Sequence, residues 1–221
     1  MIVTQVYVDD IIFGSTNDKL AHDFSKLMQA EFEMSMIGEL THFLGLKIHQ
    51  QDSGIFLSQS KYAKNLVKKF GLEFASSVRT PMSPNVKLTI DLLGKSVDPS
   101  LYRSMIGSLL YLTTSKPDIS YSVGVCTRYQ ANPKESHMTA LKRIIKYVKT
   151  TAEFGVWYSK DTSDVLTGYF DANWAGNAND RKSTSGGCFY VGNNLVSWMS
   201  KKQNSISLST AEAKYIVAAS C

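Results

Sequence analysis

Two short β-rich runs open the chain, Ile2 to Val8 and Ile11 to Phe13, and the carboxylates of Asp9 and Asp10 fall between them. β-Branched and aromatic residues favour strands, so the pattern predicts two strands turning back on each other with both aspartates at the tip. Leu20, Phe24, Leu27 and Met28 then recur at helical spacing, with Thr16 or Asn17 available as the cap. Leu40 to Gln50 and Gly54 to Leu57 read as strands joined by a polar turn, followed by a helix from about Ser60 to Phe70 that Gly71 stops. From Ala75 to Pro99 the pattern weakens, and Pro81, Pro84 and Pro99 break it, which predicts a linker or an extended surface segment. Helical spacing resumes over Leu101 to Thr114 and, past Pro117, over Asp118 to Tyr129. Asn132-Pro133-Lys134-Glu135 has the composition of a helix start, with a cap, a proline at the first position and Glu three residues after the cap; that helix should run to about Lys149. From Phe154 strand formers return: Val156, Tyr158, Val165, Leu166, Tyr169 and Phe170. Gly187 to Val191 and Leu195 to Met199 form two more runs around Gly192-Asn193-Asn194, a hairpin signal, and Ser209 to Ala219 reads as a helix. The fold class expected is α+β, without internal repeats.

A length of 221 residues suggests one or two domains, and 43% hydrophobic residues exclude a disordered chain. No apolar run approaches the roughly 20 residues of a membrane span, and Met1 to Gln5 carries no secretory pattern, so no membrane partner is expected. Cys126, Cys188 and Cys221 are too scattered for a disulfide framework or a zinc site. His22, His42, His49 and His137 are scattered too and read as surface or loop residues. A reducing intracellular compartment follows from this cysteine usage. The net charge of +5 is modest, but its placement adds to it. Lys61, Lys64, Lys68 and Lys69 share one face of a helix whose other face carries Tyr62, Leu66 and Phe70. Lys142, Arg143, Lys146 and Lys149 lie opposite Leu141, Ile144, Ile145 and Val148. Either stripe is a solvated face or a track for phosphates.

Paired carboxylates at a hairpin tip suit Mg²⁺, which takes oxygen ligands, although Asp-Asp is also an ordinary turn. Tyr7-Val8-Asp9-Asp10-Ile11-Ile12-Phe13-Gly14 resembles the catalytic hairpin of reverse transcriptases, and more narrowly that of Copia-type long-terminal-repeat retrotransposon Pol polyproteins. The resemblance continues through Phe43-Leu44-Gly45-Leu46, Phe56 to Tyr62, Thr80-Pro81-Met82, Ile106 to Leu112 and Arg128 to Pro133. Further on, Asp180 to Gly186, Ser197-Trp198, Lys201-Lys202-Gln203 and Ser209-Thr210-Ala211-Glu212 are similar to the ribonuclease H region of the same polyprotein.

The resemblance implies a partial reverse transcriptase palm over 1–75, a helical thumb or connection over 76–153, and a truncated ribonuclease H-like α/β domain over 154–221. It implies Mg²⁺ held by Asp9 and Asp10 at the polymerase site and by Asp171 and Glu212 at the nuclease site. Ser209 to Glu212 is also a capping box, so Glu212 has a purely structural reading beside the catalytic one. Asn173 stands where the family often has a second acidic residue. Only six residues precede Tyr7, none acidic, and the chain stops at Cys221 before further nuclease aspartates, so both sites are expected to be incomplete. The expected partners are an RNA–DNA hybrid or template–primer, contacted by Lys61, Lys64, Lys68, Lys142, Arg143, Lys146 and Lys149, and the rest of a Pol polyprotein. The expected location is cytoplasmic, in a virus-like particle for the parent element, with nuclear and organellar encoding both open. The function implied is a fragment of an RNA-directed DNA polymerase and ribonuclease H, inactive as an isolated chain; the alternatives are a non-catalytic nucleic-acid-binding remnant and an unselected pseudogene product.

Overall fold

The computed structural model describes residues 1–83 and 87–220; Pro84 and Cys221 lie outside them. The chain forms two compact units, 1–40 and 41–221. Six helices and three small sheets occur among the described residues, as the α+β reading requires.

In the first unit β1 (Ile2–Tyr7) and β2 (Asp10–Ser15) pair antiparallel, in register from Ile2 opposite Ser15 to Tyr7 opposite Asp10. The helix α1 (Asp18–Glu31) follows. Of the two candidate caps, Asn17 acts, its Oδ1 accepting from Lys19 N at 2.8 Å, while Thr16 N is engaged with the Met1 carbonyl at 3.2 Å. Phe13 of β2 meets Phe24 of α1 edge-on, ring centres 5.0 Å apart, which fastens the helix to the hairpin.

The second unit begins with a four-stranded antiparallel sheet, ordered β3 (His42–Phe43), β4 (Leu46–Gln51), β5 (Gly54–Ser58), β6 (Gly155–Ser159). The strand run after Phe154, expected to open the third segment, therefore closes a sheet begun by residues of the first. Glycine makes this pairing possible: a Cβ at Gly155 would lie 2.0 Å from the Leu57 carbonyl oxygen. The tight β3–β4 turn uses Leu44 and Gly45, both at positive φ (+47° and +79°), and Tyr111 Oη donates to the Leu44 carbonyl at 2.5 Å.

The core is helical. It joins α2 (Ser60–Lys69), α3 (Pro99–Leu112), α4 (Pro117–Cys126) and α5 (Glu135–Thr150), with a 3₁₀ turn at Thr127–Tyr129. Leu66, Ile106, Leu109, Leu112, Ile119, Val123, Leu141, Ile144, Ile145 and Val148 are all buried. Each such side chain contributes roughly 1.5–3 kcal/mol through burial. Asp98 caps α3, its Oδ1 accepting from Ser100 N at 2.8 Å, with Pro99 in the first turn. Gly71, at φ +67°, ends α2 as expected.

Three expectations change here. The α5 start is not capped by Asn132. Lys134 N donates to His137 Nδ1 at 3.0 Å, and the backbone of Pro133 to Glu135 bonds residues 95–97 (Val97 N to Pro133 O 3.1 Å, Glu135 N to Lys95 O 3.0 Å). Because these groups are taken by a neighbouring segment, the helix starts later. His137 is not a surface residue but fully buried, stacked on Tyr129 with ring centres 4.1 Å apart and Nε2 2.6 Å from the Thr89 carbonyl. Lys134 N–H fills Nδ1, so Nε2 carries the proton. Residues 75–83 and 87–98 are not a free linker either. Lys149 Nζ donates to Ala75 O (2.9 Å), Arg143 to Thr80 and Ser136 Oγ to Asp91 (2.5 Å), while Met82, Leu88 and Val97 pack on the core.

Lys116 is buried at the head of α4. Its Nζ donates to the Thr151 carbonyl at the end of α5 and lies 5.6 Å from the Phe154 ring centre. Burial lowers its pKa, against the opposing pull of Asp118 and Glu153. The cation meets the negative end of the α5 dipole.

A second sheet is a three-stranded meander, β7 (Leu166–Asn173), β8 (Thr184–Val191) and β9 (Asn194–Lys202), turning β8 into β9 at Gly192 (φ +57°). The helix α6 (Thr210–Ala219) packs on β7 and β8 and buries Ala213 and Val217. The sheet is tied to the helical core by Trp198 Nε1 donating to Thr113 O (3.0 Å) and by Arg128 Nη2 donating to Thr184 Oγ1 (2.7 Å).

Gly45→Ala should cost about 1–3 kcal/mol, because it puts a side chain at positive φ and its Cβ 1.9 Å from Tyr111 Oη. Urea unfolding of Gly45→Ala and of Gly45→Ala/Tyr111→Phe checks this. The double variant should recover the steric part and retain the backbone part.

Candidate functional site

The hairpin expected at Asp9 and Asp10 forms. Val8 and Asp9 are the two central residues of its turn, and Asp10 begins β2 opposite Tyr7. Val8 has φ +50° and Asp9 is not among the positive-φ residues, the sign pattern of a II′ turn, which suits the twist of paired strands. That turn prefers glycine at its first central position, and a β-branched residue there is strained by about 1–3 kcal/mol. Val8 is 80% exposed and both carboxylates face solvent. The strained turn thus presents two adjacent hard-oxygen donors.

Asp171 lies on β7 and Glu212 in the first turn of α6, the element that packs against β7. Both side chains are exposed. Asp171 Oδ1 is 3.9 Å from Lys214 Nζ, an exposed ion pair of small energetic weight. Glu212 does serve as a cap: its Oε2 accepts from Leu208 N at 2.6 Å, while Ser209 Oγ accepts from Glu212 N at 3.1 Å. The structural role is thus real, and one oxygen of the carboxylate is already committed. Among the described residues no three His, Cys, Asp or Glu side chains gather as a cation cage. The chemistry of the donors fits Mg²⁺ at each place, but only as part of a ligand set.

The basic stripes divide by use. In α2, Lys64 pairs with Glu153 at 2.5 Å and Lys69 lies 5.2 Å from the Phe70 ring centre; Lys61 and Lys68 are exposed, opposite buried Ala63, Leu66 and Val67. In α5, Arg143 and Lys149 hold the 75–83 segment through Thr80 and Ala75, which takes them from the phosphate track, whereas Lys142 is exposed and Lys146 half-buried.

Cys126 is buried, and burial pushes its thiol up to about 12. It and Cys188 are free.

Sequence reasoning passed over Tyr121 and Arg128 as chemistry. Tyr121 Oη accepts from Asn173 Nδ2 at 3.2 Å, two residues from Asp171. The available signal was that Arg128 and Thr184, which bond each other, fall in separate blocks of the resemblance. The loop between β7 and β8 is held by Asp180, which accepts from Lys202 Nζ and from Lys182 N (3.2 Å). Burial would raise the Asp180 carboxyl, but these bonds and the two cations outweigh it and hold it below the ordinary value.

Residues 1–84 match the family model described as reverse transcriptase (RNA-dependent DNA polymerase). Over 95% of its length the chain is 38% identical to the retrovirus-related Pol polyprotein from transposon RE1 of Arabidopsis thaliana, and covers 14% of that protein. It is 32% identical to the corresponding polyprotein from transposon TNT 1-94 of Nicotiana tabacum, covering 17% of it. It is also 34% identical to the uncharacterized mitochondrial protein AtMg00810 of Arabidopsis thaliana, over 95% of this chain and 87% of that one. The chain belongs to the Copia-type retrovirus-related Pol family. It spans about one-seventh of the Pol polyproteins from transposons RE1 and RE2. No solved structure matches it. The reverse-transcriptase match ends at residue 84 of this Pol segment.

Two outcomes follow from this geometry. Val8→Gly should stabilise the hairpin by about 1 kcal/mol, seen as slower hydrogen exchange of the β1 and β2 amides. Asp180, with its lowered pKa, contributes stability above the unfolded-state value of about 3.9 and loses it as pH falls through the lower folded value. The urea midpoints of the parent and Asp180→Asn should therefore differ at pH 6 and converge toward pH 3.

Proposed function

We propose that this Pol segment comprises the end of a reverse transcriptase palm, a helical thumb or connection, and the opening strands and helix of a ribonuclease H domain. Its ancestral chemistry is two-metal phosphoryl transfer on nucleic acid. The observation that carries the reading is the joint placement of Tyr7-Val8-Asp9-Asp10 at a hairpin turn, inside the stretch matching the reverse transcriptase family. The three-strand meander followed by α6 supports the nuclease part, since it sets Asp171 on the first strand and Glu212 on the helix.

Asp9 and Asp10 would hold Mg²⁺ in the polymerase; Asp171 and Glu212 would hold it in the nuclease. When bound, the cation supplies charge stabilisation at the oxygens of the transferring phosphoryl group. The residues' own parts are distinct. The Val8–Asp9 turn sets Asp9 in the loop and Asp10 at the start of β2. The Leu208 amide orients the Glu212 carboxylate, while Ser209 Oγ caps the helix by accepting from Glu212 N. Lys61, Lys64 and Lys68 on α2, and Lys142 and Lys146 on α5, would track the backbone of an RNA–DNA hybrid or template–primer. Residues elsewhere in the polyprotein would complete both ligand sets.

A second reading, a nucleic-acid-binding protein without catalysis, is favoured by one comparison: AtMg00810 is matched over 87% of its own length, so a slice of about this size stands as a separate protein.

Binding separates the first two readings from a chain without function. An 18-base-pair RNA–DNA hybrid should bind the 221-residue chain, with affinity falling about 100-fold from 50 to 200 mM salt if about four phosphates are contacted. Lys64→Ala/Lys68→Ala or Lys142→Ala/Lys146→Ala should each reduce the salt slope by about 2. A salt-insensitive affinity, unchanged in both, would make these faces ordinary solvated surface. Metal binding is read separately: Mn²⁺ should broaden the amide signals of Asp171 and Glu212 together, and Asp171→Asn should abolish this at both.

A further inference from the structure

The face of the β7–β8–β9 sheet that carries Asp171 forms the floor of a trough. Cavities of about 500 and 480 Å³ lie along it, and a third of about 410 Å³, walled mainly by α4 and by Pro81 to Ser83, Lys87 and Leu88, adjoins them at Asn173. The third shares Tyr121 and Asn173 as walls with the first, and the first two share Cys188 and Tyr190. Alternation along β7 puts Thr167, Tyr169, Asp171 and Asn173 on this one face. α4 walls one side through Ser120 and Tyr121. The floor is open at Gly186, where an added Cβ would meet only the Asp171 carbonyl oxygen, at 3.9 Å.

The lining has a definite chemistry. Tyr169 is 61% exposed and Tyr121 43%, large aromatic surfaces to leave in water. Tyr169 meets Tyr190 edge-on with ring centres 5.9 Å apart, which steadies the Tyr169 ring. The far end is mixed in charge but net positive, with Arg128 and Lys87 beside Asn177 and the carboxylate of Asp118, which accepts from Tyr147 Oη at 2.6 Å. Arg128 gives Nη2 to Thr184, but its Nε is buried without a partner, a donor in need of an acceptor. In the middle, Lys214 offsets the charge of Asp171.

We propose that this trough binds a single strand of nucleic acid, with bases stacking on Tyr121 and Tyr169 and a phosphate reaching Arg128. Exposed aromatic rings leading to a cationic end suit an unpaired strand, because every unpaired base offers a π face and every nucleotide a phosphate. β7, eight residues long, spans about 26 Å, room for about four nucleotides. A duplex keeps its bases stacked on each other and cannot use the tyrosines. The trough is distinct from the stripes of α2 and α5, which would contact phosphates alone, and it does not depend on the metal chemistry proposed above.

The test uses fluorescein-labelled 8-mers, one DNA and one RNA, and a blunt hybrid of the same sequence, titrated with the full 221-residue chain at 50 mM salt and followed by anisotropy. Both single strands should bind. Tyr121→Ala and Tyr169→Ala should each weaken that binding about 5- to 100-fold and leave hybrid binding unchanged. Tyr169→Phe and Tyr121→Phe keep the ring and should keep the affinity, the latter even though it loses the bond to Asn173. Lys142→Ala/Lys146→Ala should weaken the hybrid more than the 8-mers, so failure of the basic helices and failure of the trough read out separately. Three results would each overturn the proposal: no single-strand binding, single-strand binding indifferent to both Tyr→Ala changes in chains with parental circular dichroism, or an equal loss for the hybrid.

Discussion

The apolar face of α5, packed against α2, α3 and α4, is the contact on which the second unit depends. Leu141, Ile144, Ile145 and Val148 recur at helical spacing and are fully buried, so the helix has one orientation that removes them from water. Once α5 is placed, its other groups become anchors. Arg143 and Lys149 hold the 75–83 segment, His137 holds Thr89, and the Thr151 carbonyl receives the buried Lys116 ammonium. The chain leaving α5 then enters the sheet as β6. Polar groups that look like surface decoration in one dimension are here the fittings of a core built by hydrophobic periodicity.

This explains which parts of the fold are legible in the sequence. Wherever a local signal has no competitor it acts as written: Asn17 at α1, Gly71 after α2, Gly192 between β8 and β9; Asp98 with Pro99 starts α3 where the pattern suggested only a break. At α5 the local signal loses. Asn132 and Pro133 make a good start on propensity, but the backbone there bonds residues 95–97, and no local rule can see a partner nearly forty residues away. The same holds for His137: its isolation in sequence says nothing about a Tyr129 ring and a Thr89 carbonyl waiting on either side.

The candidate site shows a similar division. The hairpin at Asp9 and Asp10 is encoded by two strand-forming runs, and the structure adds the strain at Val8, which composition alone does not reveal. Glu212 turns out to cap its own helix: the bond that satisfies the Leu208 amide also holds one oxygen of the carboxylate. The basic stripe of α5 is half fitting and half free surface, a distinction that depends on whether another segment passes within reach. The Tyr121–Asn173 bond joins residues fifty-two apart, and neither position alone points to it.

Pairing of β5 with β6 has a consequence for how the protein comes into being. The two strands are separated by about a hundred residues, so β3 to β5 leave the ribosome with one edge of the sheet unmatched and stay so until the whole helical core has been made. Loop closure of that length is slow, and an open strand edge is a template for pairing with another chain. Synthesis at about 5–20 residues per second leaves the edge bare for on the order of 5–20 seconds. The glycines that let β6 approach β5 so closely therefore serve a strand that arrives last, and the interval before its arrival is when a nascent chain of this kind is most exposed to misassembly.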